Sequence, residues 1–375
     1  MKLRDYAGYD PFDLLNSPLL AGRWSRRLPF NVLLIQFGKR YGGLWLRKLL
    51  RVPASKNPKG LALILSGYCD LSRCGEDTEA EAHNLRVQLE RLRSPGEASY
   101  CWGYDWNFTA LRGTTLAAYE PNAIASYFAG SALLDMYETF GDTQALEMAE
   151  SAGEFMVARL NRSVDTASQL CFSYTPADHT RIYNSSALVA AFLARLADRC
   201  GKTSYFPLAR RAMQYLADAQ EERGSWAYGA TWRQQWTDSF HTGYNLVALA
   251  DYRRASDDRS FDVVCQRGFE DYERSFFLPN GAPKYFRGSV HPIDIHACAQ
   301  AILTFCAFEE EHPEARELAV RVARWTLSHM QNPDGSFLYQ KHRLWTDRTP
   351  YMRWGQAWMF RALAALLART ATQNE

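Results

Sequence analysis

Gly224-Ser225-Trp226-Ala227-Tyr228 is said again at Gly335-Ser336-Phe337-Leu338-Tyr339. Its core, an aromatic, one residue and then Tyr, also stands at Trp102-Gly103-Tyr104 and Phe172-Ser173-Tyr174. Pro283-Lys284-Tyr285 keeps the Tyr and loses the first aromatic. The tyrosines fall at 104, 174, 228, 285 and 339, so the spacings are 70, 54, 57 and 54. Recurrence at that interval signals a repeat architecture, one supersecondary unit stacked several times.

Between the phrases, helical patterns come in two kinds. Stretches 30–50, 78–92, 143–160, 204–219, 261–276 and 313–330 are amphipathic. Stretches 58–68, 120–140, 183–199, 240–252, 292–308 and 351–367 are apolar nearly all round. A helix apolar on every side is buried, and one with a single apolar stripe lies outside. Six of each in strict alternation predict an all-α fold, an (α/α)6 barrel or toroid with short β-like loop segments at one face. Residues 1–28 read as an N-terminal segment and 29–375 as one toroid domain. Gly201 reads as a C′ glycine. The long connections run from amphipathic to apolar helices, and each of the last five holds one copy of the phrase. Long ordered loops of this kind are usually functional.

Composition narrows the function classes. A net charge of +2 gives no electrostatic case for nucleic acid or for an anionic membrane surface. The early apolar stretch 28–37 is far shorter than the ~20 residues of a membrane span. No secretory h-region follows Met1, and the eight scattered cysteines form no CxxC pair, so a cytoplasmic location is expected, with no metal and no cofactor.

The loop face collects polar residues. Five of the eight histidines, His179, His241, His291, His296 and His342, lie in these loops or at the helix starts that follow. Six buried helix N-termini point there too, and such termini favour anions. Arg112, Arg181, Arg233, Lys284, Arg287, Arg348 and Arg353 share the loops. His241, Tyr244 and Asn245 fall on one helix face. Asp178, His179, Arg181, Tyr183 and Asn184 form a second cluster, and Arg353, Trp354, Gln356 and Trp358 a third. Tyr, His, Asn and Arg suit proton transfer at a carbon beside a uronate carboxylate. His241, Tyr244, Asn245, His179 and Arg353 are the expected catalytic groups. Hydrolysis would instead need two carboxylates across the cleft. Asp105, Glu120, Asp178, Asp238, Asp294 and Asp347 are candidates, with Asp238 and Asp347 also placed to cap helices. Trp102, Trp106, Trp226, Trp232, Trp236, Trp345, Trp354 and Trp358 could stack on sugar rings. Arg233, Arg287 and His291 complete the expected binding set.

Three stretches carry resemblances. Gln331-Asn332-Pro333-Asp334-Gly335-Ser336-Phe337 is similar to the repeat of terpenoid cyclases and other α/α toroids, though the aspartate-rich acid motif of a squalene-type cyclase is missing. Arg353-Trp354-Gly355-Gln356-Ala357-Trp358 is similar to the last helix of unsaturated glucuronyl hydrolases. Tyr9-Asp10-Pro11-Phe12-Asp13-Leu14-Leu15-Asn16-Ser17, with Asn57-Pro58-Lys59-Gly60-Leu61-Ala62, resembles bacterial polysaccharide-biosynthesis proteins of the VpsJ type. That resemblance implies a role in exopolysaccharide or capsule assembly and assigns no catalytic residue. The expected partner is a glycan or glycolipid, with other polysaccharide-assembly proteins. The reaction classes open at this point are lyase, epimerase and hydrolase, beside a terpenoid-type cyclase and a non-catalytic glycan-binding scaffold.

Overall fold

A computed structural model describes residues 1–20, 28–109 and 115–371; Arg112 and residues 21–27 of the N-terminal segment fall outside it. Helix α1 (Leu28–Phe37) runs through a π-helical stretch, Gly38–Gly42, into α2 (Gly43–Leu49). Then come α3 (Pro58–Ser72), α4 (Glu79–Arg91), α5 (Ala123–Phe140), α6 (Thr143–Arg159), α7 (Tyr183–Cys200) and α8 (Tyr205–Asp218). The chain continues through α9 (Ser239–Ser256), α10 (Asp262–Phe276), α11 (Ile295–Ala307), α12 (Pro313–His329) and α13 (Trp358–Ala371).

The apolar helices close a ring. α3 packs on α5, α5 on α7, α7 on α9, α9 on α11, α11 on α13, and α13 returns to α3. The amphipathic helices α4, α6, α8, α10 and α12 lie outside, each against its inner partner. The chain is therefore the (α/α)6 toroid that the alternation predicts. One contiguous core fills the space between the rings, with Leu133, Phe155, Phe192, Tyr252 and Phe305 fully buried. Gly201 ends α7 at φ +67°, where a side chain would be strained. Short strands lie in the outer-to-inner connections: β1 (Phe108–Thr109) with β2 (Thr115–Leu116), β3 (Arg162–Asp165) with β4 (Leu170–Phe172), and β5 (Ile293–Asp294) with β6 (Gln340–Lys341) and β7 (Thr346–Asp347).

The stretch 30–50 differs from a plain outer rod. It is broken at Gly38–Gly42, and its α1 half packs on the turn Asp13–Asn16 and on β1. Leu14, Leu46 and Val52 form a small core of its own. Arg47 is fully buried, donating to the Asp13 carboxylate at 2.8 Å and to the Asp10 and Gly43 carbonyls. A buried guanidinium needs all these partners, and they hold the segment across the loop face.

The repeated phrase has a structural reason. In four of the five copies the carbonyl of its Tyr accepts the first helical amide of the inner helix one unit earlier, while that of Tyr104 accepts from the loop amide of Tyr119. Ala123 donates to Tyr174, Tyr183 to Tyr228, Ser239 to Tyr285 and Ile295 to Tyr339. Each satisfies an amide that has no partner within its own helix. The leading aromatic is driven inward. The Trp102 indole donates to the Leu89 carbonyl at 2.8 Å, and Trp226 to Leu216 at 2.9 Å, each at the end of the preceding outer helix. The repeat thus staples neighbouring hairpins at one mouth of the ring. Gly224 opens its phrase at φ +103°, and an added Cβ would meet the Arg267 carbonyl at 2.2 Å. Gly224→Ala is expected to lower stability by about 1–3 kcal/mol, read as a fall in the urea midpoint.

Candidate functional site

A cavity of about 440 Å³ opens at the mouth where the inner helices begin. All six inner elements contribute: Lys59 from α3, Ile124 from α5, Asn184 from α7, His241 and Tyr244 from α9, His296 from α11, and Arg353 and Trp354 from the π-helical turn Met352–Ala357 that leads into α13. Four of the five repeat tyrosines, Tyr104, Tyr174, Tyr228 and Tyr285, form its wall. Tyr339 instead packs edge-on against Tyr351. Phe12 reaches in from the N-terminal segment, and Gln36 and Lys39 from α1 and the π-helical stretch after it. Both π-helical turns sit at this cavity, where such irregularities commonly re-aim side chains.

A larger recess, about 740 Å³, opens at the opposite mouth. Its charges neutralise one another: Arg361 pairs with Asp70, Arg195 with Asp135 and Glu138, and Arg369 with Glu309. The smaller cavity is the better site, because its polar groups converge on open space and several lack a protein partner.

Two sets of polar groups meet there. On one side, Asp238 caps α9, accepting from the His241 amide at 2.9 Å. Its Oδ2 lies 2.7 Å from His241 Nδ1 and accepts from the Trp236 indole at 3.0 Å. The carboxylate holds Nδ1 protonated, which leaves the Nε2 lone pair free. No described residue bonds Nε2. Phe240 and Tyr228 lie against the imidazole, with ring centroids 3.9 and 4.6 Å away. On the other side, Tyr244 Oη lies 2.8 Å from His296 Nε2 and accepts from Lys59 Nζ at 3.2 Å. Burial pushes the Tyr244 hydroxyl well above its ordinary range. Burial, with Lys59 and Arg353 nearby, pushes His296 well below its own, so it is a neutral imidazole. Lys59 sits over the rings of Phe128 and Trp358, at 4.2 and 5.1 Å, and burial drives it down as well.

Arg353 is buried in a fork with Asp10, Nε at 2.7 Å and Nη2 at 2.9 Å. It lies over Tyr104 and Trp106. Lys39 Nζ stands 4.3 Å from the Phe12 ring centre. Burial lowers it to about 8, against the pull of Asp294 and Asp10.

Of the expected catalytic groups, the cavity brings together His241, Tyr244 and Arg353. Asn245 is buried beside them and does not line the cavity, and its Oδ1 has no partner among the described residues. His179 is exposed and outside the cavity. Of the expected binding residues, Asn184, Trp236, Asp238 and Trp354 line it. The Asn184 Oδ1, buried and unpartnered among the described residues, is a ready acceptor for a ligand.

The others are held elsewhere. Trp102 and Trp226 are core residues, as above. Trp358 lies beneath the cavity floor, stacked on Tyr244 at 5.7 Å. Asp105 accepts from Asn57, the N-cap of α3. Asp178 folds its own loop, accepting from Tyr174, Thr175 and Thr180. Asp294 caps α11 and accepts from Gln340 and Trp354; burial raises it to about 6. Arg287 ties Ser225 to Asp271. Gln356 clamps both backbone groups of Phe337. Tyr183 packs on Tyr215, Arg181 and Arg233 are exposed, and the His291 ring lies against the Lys341 carbonyl. Asp347 turns its own loop by accepting from Thr349, and Tyr351 is the residue before the last inner turn.

Sequence reasoning passed over Lys59, Lys39 and Asp10. Lys59 had a signal: it is the one charge in the otherwise apolar stretch 58–68.

No family model matches the chain, and no curated protein sequence matches it. Solved structures do. A cellobiose 2-epimerase from Bacillus thermoamylovorans aligns with TM-score 0.67 at 11% identity, over 86% of this chain and 90% of the other. A family 76 α-mannanase from Bacteroides thetaiotaomicron aligns with TM-score 0.63 at 12% identity, over 87% and 90%. An unsaturated glucuronyl hydrolase specific for heparin aligns with TM-score 0.63 at 11% identity, over 84% and 87%. At these identities the likeness is one of fold, and the chain is an (α/α)6 toroid built as those enzymes are.

Proposed function

We propose that the protein is a sugar-modifying enzyme that moves a proton at a carbon beside a carbonyl or carboxylate, as an epimerase or a lyase does, on an anionic sugar. One observation carries this reading. His241, with its Nε2 unbonded, faces the same cavity as Tyr244, which is coupled to the neutral His296. His241 takes the proton; Tyr244 returns one from its own side, and His296 and Lys59 settle the hydroxyl's charge. Lys39, a cation in the cavity wall, favours the anion.

Hydrolysis fits less well. Asp238 is the one carboxylate among the described lining residues, and three donors already occupy it. A carboxylate pair is what glycoside hydrolysis calls for. A terpenoid-type cyclase has the aromatic wall it needs but no unpaired acid among the described lining residues. A scaffold would show a shallow cleft without perturbed groups, unlike this cavity. Fold neighbours that include a cellobiose 2-epimerase and an unsaturated glucuronyl hydrolase support sugar chemistry. The resemblance of the opening stretch to VpsJ-type proteins supports a role in exopolysaccharide or capsule assembly.

The test is solvent exchange. Uronates and neutral reducing sugars are incubated with the protein in D2O, and the C–H signals are followed by NMR. One uronate is expected to lose the signal of the carbon beside its carbonyl or carboxylate. Exchange in none of them would sink the proposal.

Lys39 adds a pH signature. Its ammonium is protonated below about pH 8 and neutral above. Affinity for the anionic sugar is therefore expected to fall roughly tenfold as pH rises through that value. In Lys39→Met the step at pH 8 should be missing, as read by calorimetric titration.

A further inference from the structure

The near-neutral total charge conceals an asymmetry. From Leu14 to Cys69 the chain has no Asp or Glu and ten Lys or Arg. With a net charge of +2 overall, the remainder therefore sums to −8. The middle of this basic run is the α1–α2 segment that lies across the cavity mouth.

That segment is apolar on two faces. One face, with Ile35, Gly38 and Leu46, is buried against the protein. The other presents Leu33, Phe37, Tyr41, Trp45 and Leu49, each four residues after the last. Four-residue spacing puts them in one stripe along a helix. Gly43, at φ +40°, breaks the helical path between Tyr41 and Trp45, and the bond from the Trp45 indole to the Tyr41 carbonyl carries the row across it. Leu33 is 69% exposed, Trp45 56% and Leu49 64%. Tyr41 stacks on Trp345 at 6.3 Å, which joins the loop residues Leu344 and Trp345 to the same surface. The Trp45 indole donates to the Tyr41 carbonyl at 3.1 Å, and Tyr41 lies 5.7 Å from Phe37, so the aromatics are held as a set. Exposed Arg40, Lys48, Arg51, Arg343 and Arg348 surround them.

Soluble surfaces rarely leave so many large apolar side chains in a row. An amphipathic element with Trp, Phe and Leu on one side and Lys or Arg at its flanks is the pattern of a helix that lies in the plane of a bilayer interface. Basic clusters of this size also recognise anionic headgroups.

We propose that the α1–α2 face, with Leu344 and Trp345, docks on an anionic lipid bilayer surface. The rings enter the headgroup boundary and the basic residues meet lipid phosphates. No membrane crossing is involved: none of the described helices is long and apolar enough to span a bilayer. Gln36 and Lys39 belong to this segment and line the cavity, so docking sets the mouth beside the lipid surface. A sugar carried on a lipid would arrive at that mouth directly.

The test is flotation of the full-length protein with vesicles of pure phosphatidylcholine, and with a roughly 3:1 mixture of phosphatidylcholine and phosphatidylglycerol. The protein is expected to float with the mixed vesicles and about tenfold or more weakly with the neutral ones, and added salt should weaken it. Phe37→Asp with Trp45→Asp is expected to lower binding by about 10–100-fold. Arg40→Glu with Lys48→Glu should lower it at least about tenfold. All four side chains are exposed, and circular dichroism checks that the variants fold. Failure to float with mixed vesicles overturns the proposal, as does binding that the Phe37/Trp45 variant leaves unchanged. So does a dimer in light scattering that the same variant converts to monomer, since the face would then serve a second copy. D2O exchange on free sugars needs no vesicles, so the two proposals fail independently.

Discussion

His241→Gln is expected to slow deuterium exchange into the substrate sugar by about 10²–10⁴-fold, the usual contribution of a positioned base. The glutamine keeps polarity and approximate volume but has no lone pair of imidazole basicity. The folded state should survive, because the cap of α9 is made by the His241 backbone amide and the Asp238 carboxylate, neither of which changes. The thermal midpoint is the control. Asp238→Asn separates orientation from basicity. An amide at that place no longer holds Nδ1 protonated, so the wrong nitrogen faces the cavity for part of the time. Exchange should drop less than in His241→Gln. If both variants exchange at the wild-type rate, His241 is not the base.

The second large effect is on stability. Asp10→Ala is expected to cost roughly 3–5 kcal/mol, read from urea unfolding. Asp10 and Arg353 are buried together, with side chains 5% exposed each, and the fork between them is bidentate. Asp10 also accepts from the Phe12 amide and offers its carbonyl to Arg47. Its loss leaves a guanidinium under aromatic rings with no counter-ion, which is far worse than losing the pair. Replacing Arg353 with Met on the same background should recover part of the loss, and that non-additivity identifies the charge as the cause. Equal costs for the single and double variants would mean that packing of the N-terminal segment, not the ion pair, is what matters.

The fold was legible in advance because its evidence is local. Periodicity within each helix showed which rods are buried, and the recurring Tyr phrase marked the units. The candidate site was only partly legible. His241 and Tyr244 were found because they are one turn apart on a single helix. Trp102, Trp226 and Gln356 misled because a rim aromatic or amide looks the same whether it serves a sugar or ties a loop. Lys59 was passed over although it is the lone charge in the apolar stretch 58–68, because nothing local shows that its side chain meets Tyr244.

From the sequence alone followed the alternation of inner and outer helices, the closed toroid and the mouth at which the long connections gather. These depend on which side chains avoid water, and that is written residue by residue. Tertiary structure alone decided which rim groups face the cavity, because loop paths aim them. It alone joined Asp10 to Arg353, 343 positions apart in the chain, and Tyr244 to His296, 52 apart. It also laid the basic, doubly apolar segment over the opening. No local pattern encodes those meetings; they appear only when the ring closes and the first helices fold back across its end.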